Sequence, residues 1–231
     1  MVFKYEEVVP WGRSYDEYRR MFALTADEMR LKIIGCGDGP ASFNAEAFKR
    51  GGLVVSCDPL YQFSSEQIKQ RIEATYENVI NQTRENRDKF VWEEIASVED
   101  LGRIRMKAMT DFLKDYGEGQ KKGRYISAEL PSLPFRERSF DLSLCSHFLF
   151  LYSDNLDLSF HRYAVEEMCR VAGEARIFPI LDYNGKRSRH ISPLTQSLTA
   201  SGFSVSLEYV PYEFQRGGNQ MMKVTTDREL K

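Results

Sequence analysis

Leu31-Lys-Ile-Ile-Gly-Cys-Gly-Asp-Gly-Pro40 joins a short apolar run to a glycine-rich turn. Glycines at positions 35, 37 and 39 allow positive φ angles and let a ligand approach the backbone without meeting a Cβ atom. Pro40 suits the first turn of a helix, because its missing N–H costs nothing there. The segment therefore predicts a strand that ends in a ligand-binding loop and passes directly into a helix.

The residues that follow complete a strand–turn–helix–strand unit. An apolar stripe with helical spacing starts at Ala41, and Gly51-Gly52 closes the helix. Leu53-Val-Val-Ser-Cys57 has the composition of a second strand, and Asp58 follows it. A carboxylate in this position can accept hydrogen bonds from both hydroxyls of an adenosine ribose. The unit thus predicts a site for an adenosine-containing ligand.

Two classes of nucleotide-binding protein share this layout. NAD(P)-dependent oxidoreductases use G-x-G-x-x-G, whose third glycine lets the helix pack closely on the strand. The turn here is G-x-G-x-G, and Pro40 stands in place of that third glycine. It resembles motif I of class I S-adenosylmethionine (SAM)-dependent methyltransferases, a family with a Rossmann-like fold. The resemblance implies SAM as cofactor, with Asp58 on its ribose and the turn on its methionine moiety: Gly35, Cys36, Gly37, Asp38 and Gly39.

A second resemblance lies further along the chain. Ser127-Ala-Glu-Leu-Pro-Ser-Leu-Pro-Phe135 precedes Ser139-Phe-Asp-Leu142, an order typical of the ubiquinone/menaquinone-type branch of these methyltransferases. In that branch an aspartate before the alanine usually holds the adenine amino group. Ser127 stands there in this chain, with Glu129 two residues on, and both are candidates. The resemblance implies further cofactor contacts from Pro59, Leu60, Ala128, Glu129 and Ser146.

Strand-like and helical patterns alternate over the rest of the chain. Ser139-Phe-Asp-Leu-Ser-Leu-Cys145 is nearly continuously apolar, as expected for a parallel strand buried on both faces. The chain ends in two strand-like runs that suit a hairpin. Together with the resemblance, which covers about residues 30–226, this predicts a seven-stranded, mostly parallel sheet whose last strand is antiparallel.

Two segments are expected to lie outside the core that the methyltransferase resemblance implies. Residues 1–30 are amphipathic and predict an N-terminal helical cap with Ser14 as N-cap, either packed on the domain edge or acting as a lid. Residues 31–231 then form the SAM-binding domain. Within it, about residues 80–120 predict an inserted helical segment, whose last helix we expect Gly117 to end. The segment either shapes substrate specificity or is an enlarged crossover without a ligand role.

His147 is the candidate catalytic base. It follows the fourth strand, and ligands of doubly wound sheets bind at the carboxyl ends of the strands. A neutral imidazole there can accept a proton from an acceptor hydroxyl, although a histidine satisfied within its loop is an equally good interpretation. Methyl transfer requires a base only when the acceptor must lose a proton. Weaker candidates for substrate binding are Arg13, Tyr18, Tyr152 and Asp182.

Motif I departs from the usual pattern at one position. An acidic residue normally stands two positions before the first glycine, and Ile33 occupies that position here. Asp38 supplies a carboxylate in a different place, within the turn. The departure predicts an altered grip on the methionine end of SAM and keeps a non-catalytic SAM-binding module as an alternative. No N/D-P-P-Y sequence follows the fourth strand, which argues against methylation of nucleic-acid base amino groups.

The composition is that of an ordinary globular protein. The 231 residues carry a net charge of −2, so no chain-wide positive field attracts nucleic acid or anionic lipid. The four cysteines are far apart without a C-x-x-C motif, and we expect no metal site. The N-terminus lacks a signal-peptide pattern, and the longest uncharged apolar run, 142–152, is too short to span a membrane. We therefore expect a cytoplasmic enzyme with a small-molecule methyl acceptor.

Overall fold

The computed structural model describes residues 9–226, and within them seven strands form one sheet. The strands are β1 Lys32–Cys36, β2 Leu53–Cys57, β3 Tyr125–Ile126, β4 Phe140–Ser146, β5 Ala172–Phe178, β6 Phe203–Tyr209 and β7 Gln220–Thr226. Their order is β3-β2-β1-β4-β5-β7-β6. Strands β1 to β5 pair in parallel, whereas β7 is antiparallel to both of its neighbours. This is the sheet of the Rossmann-like class I methyltransferase fold, and the predicted fold class is confirmed.

Helices pack on both faces of the sheet. In the described residues they are α1 Tyr15–Met21, α2 Phe43–Lys49, α3 Ser65–Glu85, α4 Val98–Lys121, α5 Leu158–Val171 and α6 Ile191–Ala200. Ile33 and Ile34 are neighbours on β1 and belong to different apolar cores, because successive side chains of a strand point to opposite faces. Ile34 shares its core with Val165 of α5, and Ile33 shares its core with Phe43 of α2. The β1 turn is therefore anchored from both sides.

Local capping chemistry sets where several helices begin. The side chain of Ser14 accepts the backbone N–H of Glu17, and the Glu17 side chain accepts the N–H of Ser14 in return, which forms a capping box at α1. Ser64 and Gln67 make the same reciprocal pair at α3. Ser97 caps α4 through the N–H of Asp100. The start at Ser14 is the one predicted above, and all three share a serine followed three residues later by glutamate, glutamine or aspartate.

The end of α4 differs from the prediction. The helix continues through Gly117 and Gly119 to Lys121, and the chain turns at Gly123, whose φ is +69°. A Cβ atom on Gly119 would lie 2.3 Å from the ring of Tyr125. Glycine at this position lets α4 pack closely on β3, so its role is tertiary contact and not helix termination.

Two other boundaries differ as well. Helix α2 begins at Phe43 and not at Pro40. The composition of residues 124–129 predicts a third strand along this whole segment, but β3 covers only two of these residues, so Ala128 and Glu129 lie in the loop that follows it. The β2–β3 connection contains both α3 and α4, which pack together at Gly102, where a Cβ would meet the Tyr76 hydroxyl at 2.2 Å. The domain limits given above stay predictions, and residues 1–8 of the expected cap lie outside the described part.

Residues 9–226 contain neither a candidate membrane span nor a candidate metal cluster. None of their helices is both long and apolar enough to pass through a lipid bilayer. No group of three or more histidine, cysteine, aspartate or glutamate side chains among these residues is placed to hold a metal ion. All four cysteines are buried free thiols.

Candidate functional site

A cavity of about 700 Å³ opens at the carboxyl ends of β1, β2 and β4. Strand β1 lies between β2 and β4 in the sheet, so the chain order reverses at this point. Doubly wound sheets bind ligands at such a switch point, because the loops diverge there and leave a crevice. Position alone makes the cavity the first candidate for a functional site.

The glycine-rich turn forms one wall of the cavity. Gly37 and Gly39 have φ values of +72° and +55°, which favour glycine. The Gly39 N–H donates to Oδ2 of Asp58 at 2.8 Å, and the Leu60 N–H donates to the other carboxylate oxygen, also at 2.8 Å. A Cβ on Gly39 would meet no atom within 4 Å. The turn and Asp58 are thus fixed to each other beside open space.

Asp58 keeps acceptor capacity despite these two bonds. Each carboxylate oxygen has two lone-pair sites, and one site on each oxygen is left for a ligand. Burial raises the pKa of Asp58 above its ordinary value, and the backbone hydrogen bonds from Leu60 and Gly39 offset part of this rise. The charge of Glu129 adds to it. A ligand that donates two hydrogen bonds here would stabilise the ionised form.

Asp38 lies beneath the turn and is buried. Its carboxylate accepts hydrogen bonds from the Tyr18 hydroxyl at 2.8 Å and the Ser56 hydroxyl at 2.6 Å. A Cβ on Gly35 would lie 1.9 Å from Oδ2 of Asp38, so only glycine leaves room for this carboxylate. Burial raises the Asp38 pKa to about 6, although the bonds from Ser56 and Tyr18 act in the opposite direction. Asp38 therefore supplies a carboxylate at the turn, although Ile33, at the usual acidic position of motif I, is apolar.

His147 has an unusual backbone for a residue with a side chain. Its φ is +52°, and its N–H donates to the Phe178 carbonyl at 2.7 Å. Ring atom Nδ1 lies 2.9 Å from the Ser146 hydroxyl oxygen. Burial, followed by the charges of Arg13 and Arg105, lowers the His147 pKa well below its ordinary value. The imidazole is therefore neutral at pH 7, the form that can accept a proton.

A buried group of charged side chains forms another wall. Nη1 of Arg105 lies 2.6 Å from Oε2 of Glu17, and their side chains are only 1% and 5% exposed. The Tyr212 hydroxyl donates to Oε1 of the same glutamate at 2.8 Å. Arg13 lines the cavity nearby and donates to the Trp11 carbonyl. Helices α1 and α4 are thus joined through charge at the edge of the cavity.

The remaining wall is mostly apolar and comes mainly from α3, α4, the loop after β4 and the β6–β7 connection. Its apolar and aromatic residues include Trp11, Phe63, Ile68, Val79, Phe90, Leu101, Leu151, Tyr152, Tyr183 and Phe214, and its polar residues are Gln67, Arg71, Thr83 and Gln215. The rings of Phe90 and Phe214 stack with their centroids 4.9 Å apart, which joins two distant parts of the chain. A cavity with one polar end and a long apolar wall suits an organic ligand.

Comparison with known proteins identifies one relative along almost the whole chain. No family model matches the sequence. The chain is 31% identical over 218 residues to the uncharacterized protein MJ0045 of Methanocaldococcus jannaschii, which covers 94% of this chain and 96% of that protein. The chain belongs to the MJ0045 family. The relative's name states no activity, so membership assigns none.

Solved structures of similar overall arrangement have low sequence identity. The PH0226 protein of Pyrococcus horikoshii is 13% identical, with a TM-score of 0.49 over 93% of this chain and 91% of that chain. A TehB-like SAM-dependent methyltransferase of Corynebacterium glutamicum is 16% identical, with a TM-score of 0.47 over 93% and 88%. At these values neither structure assigns an activity to this MJ0045-family chain.

Most of the site residues predicted from the sequence meet at the cavity. Those that line it are Arg13, Tyr18, Gly37, Asp38, Gly39, Asp58, Pro59, Leu60, Glu129, Ser146, His147 and Tyr152. Gly35 and Cys36 are buried in β1, and Ala128 packs against the apolar core. Asp182 does not line the cavity. Its carboxylate accepts the N–H groups of Asn184 and Lys186 within its own loop. The functional roles of all these residues remain predictions.

Arg105 is the main cavity residue that sequence reasoning missed. It lies four residues after Leu101 and four before Met109, so helical spacing puts it on the buried face of α4. A charged residue in the middle of an apolar stripe is rarely buried without a partner. A charged residue on the buried face of α4 was therefore the sequence signal for a buried partner. Its partner, Glu17, could not be inferred, since 88 residues separate the two.

Proposed function

We propose that the protein is a SAM-dependent methyltransferase that transfers the methyl group to a small-molecule acceptor. The observation that carries this proposal is the junction of the Gly35–Gly39 turn with Asp58, at the switch point of this sheet and beside a cavity of about 700 Å³. The two backbone N–H groups orient Asp58, and its free lone pairs suit two ribose hydroxyls. The site therefore suits SAM in its hydrogen-bonding groups as well as in the space beside them.

Charge supports the same assignment. SAM carries positive charge on its sulfonium and its ammonium group, and the cavity wall around the turn carries three carboxylates: Asp38, Asp58 and Glu129. In this proposal the backbone of the turn lines the methionine moiety, and Asp38 supplies the acidic group that Ile33 lacks. Pro59, Leu60, Ala128, Glu129 and Ser146 surround the rest of the cofactor.

The cavity residues also suit the chemistry. Bound SAM supplies an activated methyl group, and its sulfur leaves as a neutral thioether. The apolar wall excludes water and holds the acceptor in line with the methyl group, and such positioning can contribute about 7–11 kcal/mol to catalysis. His147, neutral and next to the cavity, would receive the proton of an acceptor that must lose one. Tyr152 and Arg13 are proposed acceptor contacts.

Other parts of the proposal concern regions around the cavity. Arg13 and Tyr18 line it, which supports a lid role for the cap over residues 1–30. Thr83 and Leu101 line it too, which supports a role in acceptor specificity for the helical segment at about 80–120. The ubiquinone/menaquinone-type branch and a cytoplasmic location remain proposals from the sequence.

Binding of SAM is the first expected result. Isothermal titration should give a micromolar-range dissociation constant, and Asp58→Ala should raise it roughly 100-fold, because two hydrogen bonds to a charged group are worth about 3 kcal/mol in total. The matched control is Asp141→Ala. That carboxylate also accepts a backbone N–H, from Lys32, but lies at the other end of the sheet. The proposal fails if the wild type binds neither SAM nor its demethylated product, and binding of NADH instead would favour the oxidoreductase.

His147→Asn tests the proposed base. Asparagine tolerates a positive φ, so the loop backbone is preserved. Transfer of labelled methyl from SAM into a metabolite extract should fall about 10²- to 10⁴-fold, the usual contribution of a general base, while SAM affinity stays within about threefold. Undiminished transfer would remove His147 from the mechanism. No transfer by the wild-type protein, together with tight SAM binding, would indicate the non-catalytic module.

A further inference from the structure

Helix α3 leads away from the proposed cofactor contacts. It begins seven residues after Asp58 and ends five residues before Phe90. Ile68 near its start and Thr83 near its end both line the cavity, and the helix rises about 22 Å between them. The cavity is therefore elongated along α3, with the proposed cofactor contacts at one end and Phe90 at the other.

The lining residues of α3 differ in character between the two ends. Gln67 and Arg71 line the cavity from the first two turns of the helix, which rises about 12 Å from Arg71 to Val79. These polar side chains therefore belong to the cofactor end. At the far end, the Thr83 hydroxyl donates to the Val79 carbonyl at 2.8 Å and is satisfied within the helix.

Helix α4 adds Leu101 to the lining at this far end. The neighbouring Gly102 packs on α3, where a Cβ atom would lie 3.1 Å from Ile80. Arg105, one turn further along α4, lies 2.6 Å from its ion-pair partner Glu17. The surface that α3 and α4 offer at the far end is therefore mainly apolar.

A series of aromatic rings lines the other side of the cavity. Phe148 lies against the glycine-rich turn, because a Cβ atom on Gly37 would be 3.3 Å from its ring. The ring centroid of Tyr152 is 6.1 Å from that of Phe148, and the centroid of Tyr183 is 4.8 Å from that of Tyr152. The rings form a continuous aromatic surface that leads away from the turn.

The stack of Phe90 on Phe214 bounds the far end of the cavity. The backbones of Phe90 and Gln215 form a β-bridge, and the Gln215 side chain donates to the Asp182 carbonyl at 3.3 Å, next to Tyr183. The two sides of the cavity are thus joined at this end, which limits the length of a ligand. The part of the cavity between them, here the far channel, is lined by Val79, Thr83, Leu101, Tyr152, Tyr183 and Phe214.

We propose that the methyl acceptor is a flat aromatic molecule, longer than a single ring, that binds in the far channel with its reacting atom toward His147. The proposal rests on the methyltransferase function proposed above. Two successive rings line one side of the channel, and Val79 and Thr83, about 6 Å apart along the helix axis, line the other. A flat ligand that covers both pairs stacks on or meets the tyrosine rings edge-on and buries its apolar faces.

The test titrates 2-naphthol and phenol into protein saturated with S-adenosylhomocysteine. 2-Naphthol should bind roughly 10- to 100-fold more tightly, because its second ring buries additional apolar surface. Val79→Phe should remove this preference by filling the channel, while the affinity for S-adenosylhomocysteine stays within about threefold. The matched control is Ala74→Phe, at an exposed position of α3 that does not line the cavity, and it should retain the preference. Equal affinity of the wild type for both probes overturns the inference.

Further measurements keep the test decisive. Thermal midpoints show whether Val79→Phe is folded, and Val79→Ala, which cannot overpack the channel, should weaken 2-naphthol about 3- to 10-fold. Unchanged 2-naphthol affinity in Val79→Ala overturns the inference. So does competition between 2-naphthol and S-adenosylhomocysteine, because the probe would then occupy the cofactor end. If the wild type prefers 2-naphthol and Val79→Phe removes the preference, but neither SAM nor its product binds, the far channel stands and the methyltransferase function fails.

Discussion

Replacing Arg105 with methionine lowers the free energy of unfolding by about 3–5 kcal/mol. The substitution removes the ion-pair partner of Glu17, whose side chain is 5% exposed and keeps only its hydrogen bonds from Ser14 and Tyr212 and the charge of Arg13. Burial alone raises the pKa of Glu17, but the charge and hydrogen bond of Arg105, helped by the charge of Arg13 and the hydrogen bond from Ser14, outweigh this and lower it to about 2. Methionine fills a similar volume, so the lost charge and not a cavity dominates the effect.

Urea unfolding measures this change, and a second substitution tests its cause. Glu17→Gln in the Arg105→Met background should restore most of the lost stability, because no buried charge remains. Lys107→Met is the matched control on α4: Lys107 is 76% exposed in its ion pair with Asp111, and the loss of this pair should cost about 0–1 kcal/mol. Equal destabilisation by both single variants would contradict a buried, coupled pair.

The pH dependence gives an independent check of the same pair. Glu17 has a lowered pKa in the folded protein, from 4.5 to about 2. The pair therefore contributes its full stability above pH 4.5, and this contribution is lost as the pH falls toward 2. Arg105→Met removes most of that acid sensitivity, so wild type and variant should differ less at pH 3 than at pH 7.

The elements that the sequence predicts well are those set by neighbouring residues. The capping box of Ser64 with Gln67 involves positions three apart, and its geometry follows from the first turn of any helix. The β1 turn is similar, since positive φ angles at Gly37 and Gly39 are a local property of glycine. The fold class followed from the order of such local units.

Boundaries that depend on tertiary contacts were not predictable in the same way. Glycine often ends a helix, so the sequence predicts an end at Gly117, yet α4 continues past it. The packing of Gly119 on Tyr125 and the apolar face of the helix stabilise another turn. Strand β3 stops after Ile126, and the residues that follow leave the sheet. Each outcome rests on a neighbour from another element.

The residues of the candidate site also differ in whether the sequence alone could identify them. Asp58 and His147 could be named because each directly follows a predicted strand. The partner of Arg105 could not, and neither could the contact between Phe90 and Phe214, because these residues meet only when distant segments fold together. Ile33 showed that an acidic residue was missing from its usual position. The sequence could not show that the Asp38 carboxylate occupies the space beside Gly35, because this contact forms only in the folded structure.

Gly35→Ala should be as disruptive as the loss of Arg105, although it adds a single methyl group. The new Cβ would lie 1.9 Å from Oδ2 of Asp38, so the carboxylate must move and give up its bonds from Tyr18 and Ser56. Two hydrogen bonds to a buried charged group are worth about 3 kcal/mol. Stability should fall by about that amount, and SAM affinity should fall with it.

A double-mutant cycle with Asp38→Ala identifies the clash as the cause. Gly35→Ala should cost far less once Asp38 is alanine, with a coupling energy of about 1–3 kcal/mol. Gly117→Ala is the matched control: its Cβ meets no atom within 4 Å, and alanine within α4 should stabilise the protein by about 0.5–1 kcal/mol. If Gly35→Ala were as stable as the wild type, Asp38 would not fill the space beneath the turn. The acidic residue missing at Ile33 would then have no substitute, and the proposed grip on the methionine end of SAM would lose its basis.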